Sequence, residues 1–332
     1  MLSQNFKRRE FLKAGLIGTA GLLAAPAFVH AGNPVQQLGG SAFGTNWRVL
    51  LGGEADAAQA RAMIKDVIAQ IDRSMSPYRK DSEISALNNG RAGRHHRVSA
   101  DMETVLATAG QIAQQSDGAF DPGVGPIVQR FGFGPIKGDY VPFLQGIEQR
   151  GANVTKLDGK ATIDLCGIAK GFAIDRIWSQ LHAMGARDAL IEIGGEFAAL
   201  GTHPSGRDWR VAVENPQLGI DQAISAVSLG GRALATSGHR HQGVSGSIAV
   251  THIIAPDQEK PANQQVLSAS VLADAAMNAD AWSTTLCALQ PDAAISLAQR
   301  TKLDALIVTA AKVDLPAKAV RTGQFSRQEV RS

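Results

Sequence analysis

The hydrophobic residues of this chain change period in blocks, and that change constrains the fold more than any other feature. Residues 39–53 alternate, with Phe43, Trp47, Val49 and Leu51 on one side, which predicts a strand. Residues 55–75 then repeat at helical spacing through Ala60, Ile64, Val67 and Ile71, with Met63 and Ile68 beside them. Further helices are predicted over 100–115 and 167–184, the second after a short strand ending at Leu165. Strands dominate from there, over 189–193, 209–214, 224–229, 232–236, 248–254 and 266–271. Helices over 275–289 and 292–299 and a strand over 305–309 finish the pattern. Strands in runs with helices in blocks indicate an α+β fold, with mixed or antiparallel sheets flanked by helices, and not a regular βαβ array. A weak boundary near Gly151 divides the domain into two intimate lobes, and residues 316–332 read as a polar C-terminal tail.

The first 31 residues do not belong to that pattern. Arg8-Arg9 stands before Glu10, Phe11-Leu12 and Lys13, and a Gly/Ala/Leu-rich run continues from Ala14 to about Ala27. The run is too short to span a bilayer, and it has the charged flank and small-residue end of a secretory signal. Cleavage can follow Ala27 or Ala31, so residues 1–31 are expected to be a twin-arginine signal peptide and residues 32–315 the working domain. The mature protein is then expected to be periplasmic, and not a lipoprotein, because no cysteine stands near the cleavage point.

Export changes the reading of charge. The chain carries 33 Lys+Arg and 30 Asp+Glu. The signal holds Lys7, Arg8, Arg9 and Lys13 against Glu10, which leaves 29 of each sign for the mature protein. Nothing in that balance calls for nucleic acid. Cys166 and Cys287 are the only cysteines; they can form one disulfide in an oxidising compartment, and they do not build a metal site.

Four segments carry possible chemistry. In Ile163-Asp164-Leu165-Cys166-Gly167-Ile168-Ala169-Lys170-Gly171 a strand delivers a carboxylate and a lysine enters the first helical turn. Such a turn attracts phosphate, although a plain turn with a solvated lysine has the same spacing. In Asn278–Leu286, Asp280 and Thr284 are four apart and share a helix face; they suit Mg²⁺, or a helix cap beside a solvent-facing threonine. Gly118–Pro126 and the following Phe131-Gly132-Phe133-Gly134 fix an irregular backbone, for a ligand or for structure alone. Last come Thr236-Ser237-Gly238 and Thr251-His252-Ile253-Ile254; His95, His96, His239 and His241 read as surface residues.

The order of these segments is more specific than any one of them. Gly44-Thr45 with Trp47, Ser74-Met75-Ser76 with Tyr78, Ser82-Glu83-Ile84 and Asn88 come first. Gly118–Pro126, Asp164–Gly171, Ile193-Gly194-Gly195-Glu196 and Thr236-Ser237-Gly238 follow. His252-Ile253-Ile254, Ser268–Val271 and Ala279-Asp280 with Ser283-Thr284 complete the series. Taken together, the sequence resembles the ApbE family of FAD:protein FMN transferases.

The resemblance implies an FAD site between the lobes, a bound Mg²⁺, and transfer of FMN to a Thr or Ser hydroxyl of a target protein through a phosphoester, with release of AMP. It implies Mg²⁺ ligands at Asp280, Thr284 and Gly167, the last through its carbonyl. Flavin and adenine contacts carry over to Phe43, Tyr78, Ala119, Phe120, Asp121, Asp164, Lys170 and Ile254, and the proton acceptor for the attacking hydroxyl to His252. A twin-arginine signal is similar to that of the branch serving nitrous-oxide respiration, which implies a membrane-bound flavin acceptor in respiratory electron transfer. Departures from the family pattern are Phe43 for Met, Cys166 for Gly or Ser, and Ala255–Lys260, where the usual carboxylate, threonine and turn glycine are replaced. An FAD pyrophosphatase giving FMN and AMP and a non-catalytic periplasmic FAD carrier are the competing readings.

Overall fold

The computed structural model describes residues 35–217, 220, 222–239, 251–311 and 316–330. The twin-arginine segment lies outside the described residues, as do His241 and residues 248–250 of the strand expected over 248–254; of its described part, 251–254, only Ile254 lies in a strand. The chain opens with strands β1 (Gln36–Ala42) and β2 (Thr45–Leu51), helices α1 (Ala57–Met75) and α2 (Glu83–Asn88), strand β3 (His95–Arg97) and helix α3 (Ala100–Gln115). Short helices α4 (Gly125–Arg130) and α5 (Phe143–Gly146) lead to strands β4 (Ile147–Arg150) and β5 (Asn153–Lys156). Helix α6 (Ala169–Ala183) precedes β6 (Ala189–Ile193), β7 (Glu196–Leu200), β8 (Arg210–Glu214), β9 (Ala223–Ser228) and β10 (Ala233–Gly238). After β11 (Ile254–Ala255), β12 (Lys260–Pro261) and β13 (Val266–Ala273) come α7 (Ala276–Ala288) and α8 (Pro291–Arg300), then β14 (Asp304–Thr309), β15 (Lys318–Thr322) and α9 (Phe325–Gln328).

Eight strands form one sheet in the order β1-β2-β6-β7-β10-β13-β14-β15. Every neighbouring pair in it is antiparallel. Alternation within each strand sends side chains to two different cores. Val49, Ile191, Ile193, Val271 and Ile307 join one core with α1, α3, α6 and α7. Leu190, Leu234, Leu272, Leu306 and Val308 meet Trp209, Val211 and Val227 of the β8–β9 hairpin on the opposite face. Helix α7 is buried on nearly all sides, and so lacks the polar stripe of a surface helix. It packs on β10, β13 and α6, which makes it the central element of the molecule.

Three sequence expectations change. The strand expected over 39–53 is a hairpin, broken where Phe43 (φ 52°) and Gly44 (φ 74°) both take positive φ. That two-residue turn matches the twist of antiparallel strands, and alternation on either side of it looks continuous in sequence. The strand expected to end at Leu165 pairs with no strand among the described residues. Instead the Asn88 side chain accepts from Ile163 N at 2.7 Å and donates to Ile163 O at 2.9 Å, while Asp164 N donates to Pro122 O at 2.7 Å. The polar tail after Pro316 supplies β15, which pairs along β14 from Ala305↔Thr322 to Thr309↔Lys318. It also supplies Phe325, fully buried against the second core. An edge strand exposes one side, so its polar alternation hid its role.

Candidate active site

The sheet, α6 and α7 converge at one point. A tight turn through Gly194 (φ 65°) and Gly195 (φ 108°) ends β6 and begins β7 at Glu196. Lys170 enters from the first turn of α6, a helix with no side-chain cap of its own. Asp280 enters from the second turn of α7 and is buried. Lys170 Nζ donates to Glu196 Oε1 at 2.8 Å and to Asp280 Oδ1 at 3.4 Å, while Gly171 N donates to Asp280 Oδ2 at 3.0 Å. Asp280 therefore caps α6 from another helix, which corrects the reading of it as a cap of its own helix. The arrangement is reciprocal, since Asp175 of α6 accepts from Ala276 N at 2.7 Å and Met277 N at 2.9 Å at the start of α7. Gly171 permits the approach, because a Cβ there would collide with the Ala276 carbonyl.

A cluster of hydroxyls from α7 and β10 lies beside Asp280. Ser237 Oγ lies 2.8 Å from Ser283 Oγ and 3.1 Å from Thr284 Oγ1, and Ser283 Oγ donates to Asp280 O at 2.9 Å. Thr284 thus faces a polar cluster and not bulk solvent. A Cβ on Gly167 would stand 3.3 Å from Thr284 Cγ2, 3.5 Å from Thr284 Oγ1 and 3.5 Å from the Phe120 ring. Gly167, Thr284 and Phe120 therefore meet, and a larger residue at 167 would fill the space between them. A carboxylate, hydroxyls and a backbone carbonyl are hard oxygen donors that suit Mg²⁺, which keeps waters and takes substrate phosphates as further ligands. Among the described residues no group of three or more His, Cys, Asp or Glu could hold a metal ion.

The site is electrostatically strained. Burial pushes the Glu196 carboxyl up to about 7 against the pull of Lys170. Burial also works against the Lys170 ammonium, but Asp280 and Glu196 outweigh it and raise its pKa. Asp175 is raised to about 6 by burial, despite its two amide donors. Burial, aided by the charge of Lys170, pushes His252 down to about 4, so its imidazole is neutral at pH 7. Its Nδ1 is buried without a partner among the described residues, and its ring sits 6.1 Å from that of Phe133. His239, expected at the surface, is half-buried, with Nδ1 2.8 Å from Thr251 Oγ1; burial and His252 lower it to about 4.

Tyr78 is 66% exposed and donates from Oη to Phe133 O at 3.0 Å. Burial raises its pKa, as do the nearby Cys166 and Asp164. Asp164 accepts from Cys166 N at 2.9 Å. Ala119, Phe120 and Asp121 border a groove of about 680 Å³ that Tyr140, Pro256, Asp257 and α8 complete. Asp121 spends its oxygens on the loop itself, accepting from Gly123 N at 2.7 Å, Phe143 N at 3.0 Å and Tyr140 Oη at 2.6 Å. Ile254 is buried in β11. Phe43 lies at the hairpin tip, beside a groove of about 660 Å³ shared with Lys65, Ile68 and Asp72 of α1. Neither groove contains the Lys170–Asp280 cluster itself. Both cysteines are free, Cys287 donating to Ser237 O at 3.2 Å from inside α7. Sequence reasoning gave no role to Glu196, Ser237 or Asp175; the Gly-Gly-Glu turn after a buried strand was the one local signal for the first.

A sequence profile described as the ApbE family matches residues 43–307. The chain belongs to the ApbE family. It is 32% identical over 321 residues to an FAD:protein FMN transferase of Haemophilus influenzae, covering 90% of this chain and 92% of that one. It is 30% identical over 294 residues to one of Vibrio cholerae, covering 83% and 88%. Among solved structures, the flavin transferase ApbE from Vibrio cholerae superposes with a TM-score of 0.78 at 27% identity, covering 89% of this chain and all of that chain. The apo flavinyl transferase ApbE of Pseudomonas stutzeri gives 0.78 at 25% identity, covering 89% and 97%. The antiparallel sheet flanked by helices is thus the family's architecture.

Proposed function

We propose that this ApbE-family enzyme transfers the FMN half of FAD to a Thr or Ser hydroxyl of an acceptor protein, forming a phosphoester and releasing AMP. The observation that carries the reading is the convergence of Lys170, Asp280, Thr284 and Gly167 at the start of α6. Asp280, Thr284 and the Gly167 carbonyl would hold Mg²⁺. When bound, the ion supplies neutralising charge for the pyrophosphate. Lys170, half-buried with its side chain 23% exposed, adds a second positive charge beside it. His252 is neutral, so a ring nitrogen can take the proton of the attacking hydroxyl. The Phe133 ring lies 6.1 Å from that imidazole. Tyr78, Phe43, the Ala119–Asp121 loop, Asp164 and Ile254 are the proposed flavin and adenine contacts. Residues 1–31 support export by the twin-arginine route, and with it a periplasmic enzyme whose acceptor is a membrane-bound respiratory flavoprotein.

The test is incubation with FAD, Mg²⁺ and an acceptor domain, following AMP release and acid-stable flavin on the acceptor. Asp280→Ala is expected to abolish transfer and weaken Mg²⁺ binding; full activity at saturating Mg²⁺ would remove Asp280 from the metal site. Free FMN in place of protein-bound FMN would favour hydrolysis, and FAD binding without AMP release would favour a carrier. Flavinylated membrane proteins that disappear in a deletion strain would identify the acceptor, and loss of cytosolic ones alone would overturn the periplasmic reading.

A further inference from the structure

Glu196 is a second buried carboxylate on a single lysine. The Gly194–Gly195 turn, with φ of 65° and 108°, delivers it to the start of β7, where it is 4% exposed. Its Oε1 accepts from Lys170 Nζ at 2.8 Å, the shorter of the lysine's two contacts. Its Oε2 is buried without a partner among the described residues. A Cβ on Gly194 would lie 3.3 Å from that oxygen and 2.9 Å from Thr45 Cγ2, so the glycine leaves room for the carboxylate beneath the hairpin tip. Asp280 alone would balance Lys170. A second buried carboxylate with an unpaired oxygen is unfavourable unless the first has other work.

We infer that Glu196 is a positioning residue that draws the Lys170 ammonium away from Asp280, leaving that carboxylate able to accept a divalent cation. The inference rests on the reading of Asp280 and Thr284 as Mg²⁺ ligands. With Glu196 present, the group Asp280–Lys170–Glu196 is net negative when both carboxylates are ionised. Without it, Lys170 neutralises Asp280 directly and competes with the metal for its oxygens. A single charge at this range shifts a neighbour's binding equilibrium by a power of ten or more.

Calorimetric titration of FAD-free protein with Mg²⁺ tests the inference, apart from turnover. Glu196→Gln keeps the shape and is expected to weaken Mg²⁺ binding about tenfold. Adding Lys170→Met to it removes the competing charge, so the double variant should regain Mg²⁺ affinity to within about threefold of wild type while transfer stays lost. A merely structural Glu196 would not be rescued in this way. Unchanged affinity in Glu196→Gln would overturn the inference. So would a double variant that stays weak, because Glu196 would then touch the ion or hold the fold. Wild-type protein that binds no Mg²⁺ would instead overturn the metal reading on which the inference stands. Melting curves check folding. Should the Gln variant fail to fold, Glu196→Asp keeps the charge and should bind Mg²⁺ near wild type, and tenfold weakening there would equally sink the proposal.

Discussion

Phe43 occupies a backbone conformation that suits glycine or asparagine, next to a glycine that also needs it. Replacing it with Asn should stabilise the protein by about 1 kcal/mol in urea denaturation, since Asn-Gly favours this turn. The proposed flavin contact gives a second outcome, because the same variant should raise KM for FAD. A stabilised variant with unchanged KM would assign the aromatic ring no part in binding. His252 makes a pH-dependent case. Its folded pKa, about 4, lies below the ordinary imidazole value of 6.5, so its neutral form is favoured by folding. That stability is fully present above pH 6.5 and is lost as pH falls through about 4. His252→Gln cannot titrate, so its stability relative to wild type should improve by about 3 kcal/mol between pH 7 and 4. A constant difference across that range would show that the imidazole titrates alike in both states.

At the scale of elements, α6 and α7 are locked by exchange: each lends an aspartate to the other's first turn. This explains why neither helix carries a side-chain cap of its own. It also ties the geometry of Lys170 to that of Asp280, because moving one helix moves both groups. Gly171→Ala would drive a methyl into the Ala276 carbonyl. The expected cost is about 2 kcal/mol or more, with transfer activity reduced beyond what the lost stability explains. Thermal melting alongside kcat checks this, and an Ala variant with wild-type kcat would show that the helices can separate without harm to the site.

At the scale of the whole molecule, the sheet divides two cores, and the site lies where the helix-covered face meets the ends of β7 and β10. The second core is completed from the far end of the described chain, by Phe325 with no exposed surface. Phe325→Ala should destabilise the protein by about 3–5 kcal/mol, measured by chemical denaturation, although it is remote in sequence from every site residue. A cost under about 1 kcal/mol would mean that α9 is not part of the cooperative unit. No described helix is long and apolar enough to cross a membrane. The proposed link to a membrane-bound acceptor rests on the first 31 residues.

Periodicity alone determined the long elements, because burial on one face writes itself into sequence every two or every 3.6 residues. Helix α3 falls over the predicted 100–115, and α1, α7 and strand β6 lie within two residues of their predicted limits. Motif order likewise brought forward Lys170, Asp280, Thr284 and Gly167, which the fold gathers. Elements whose pattern is set by a partner were not legible. The hairpin break at Phe43 depends on two backbone angles, and β15 depends on lying at a sheet edge. The segment ending at Leu165 depends on a side-chain amide 75 residues away. The same holds for function. Sequence could offer a carboxylate and a hydroxyl four residues apart on a helix. Only the tertiary structure decided that Asp280 caps another helix, that Glu196 shares its lysine, and that burial keeps His252 neutral, because each depends on distances between residues far apart in the chain.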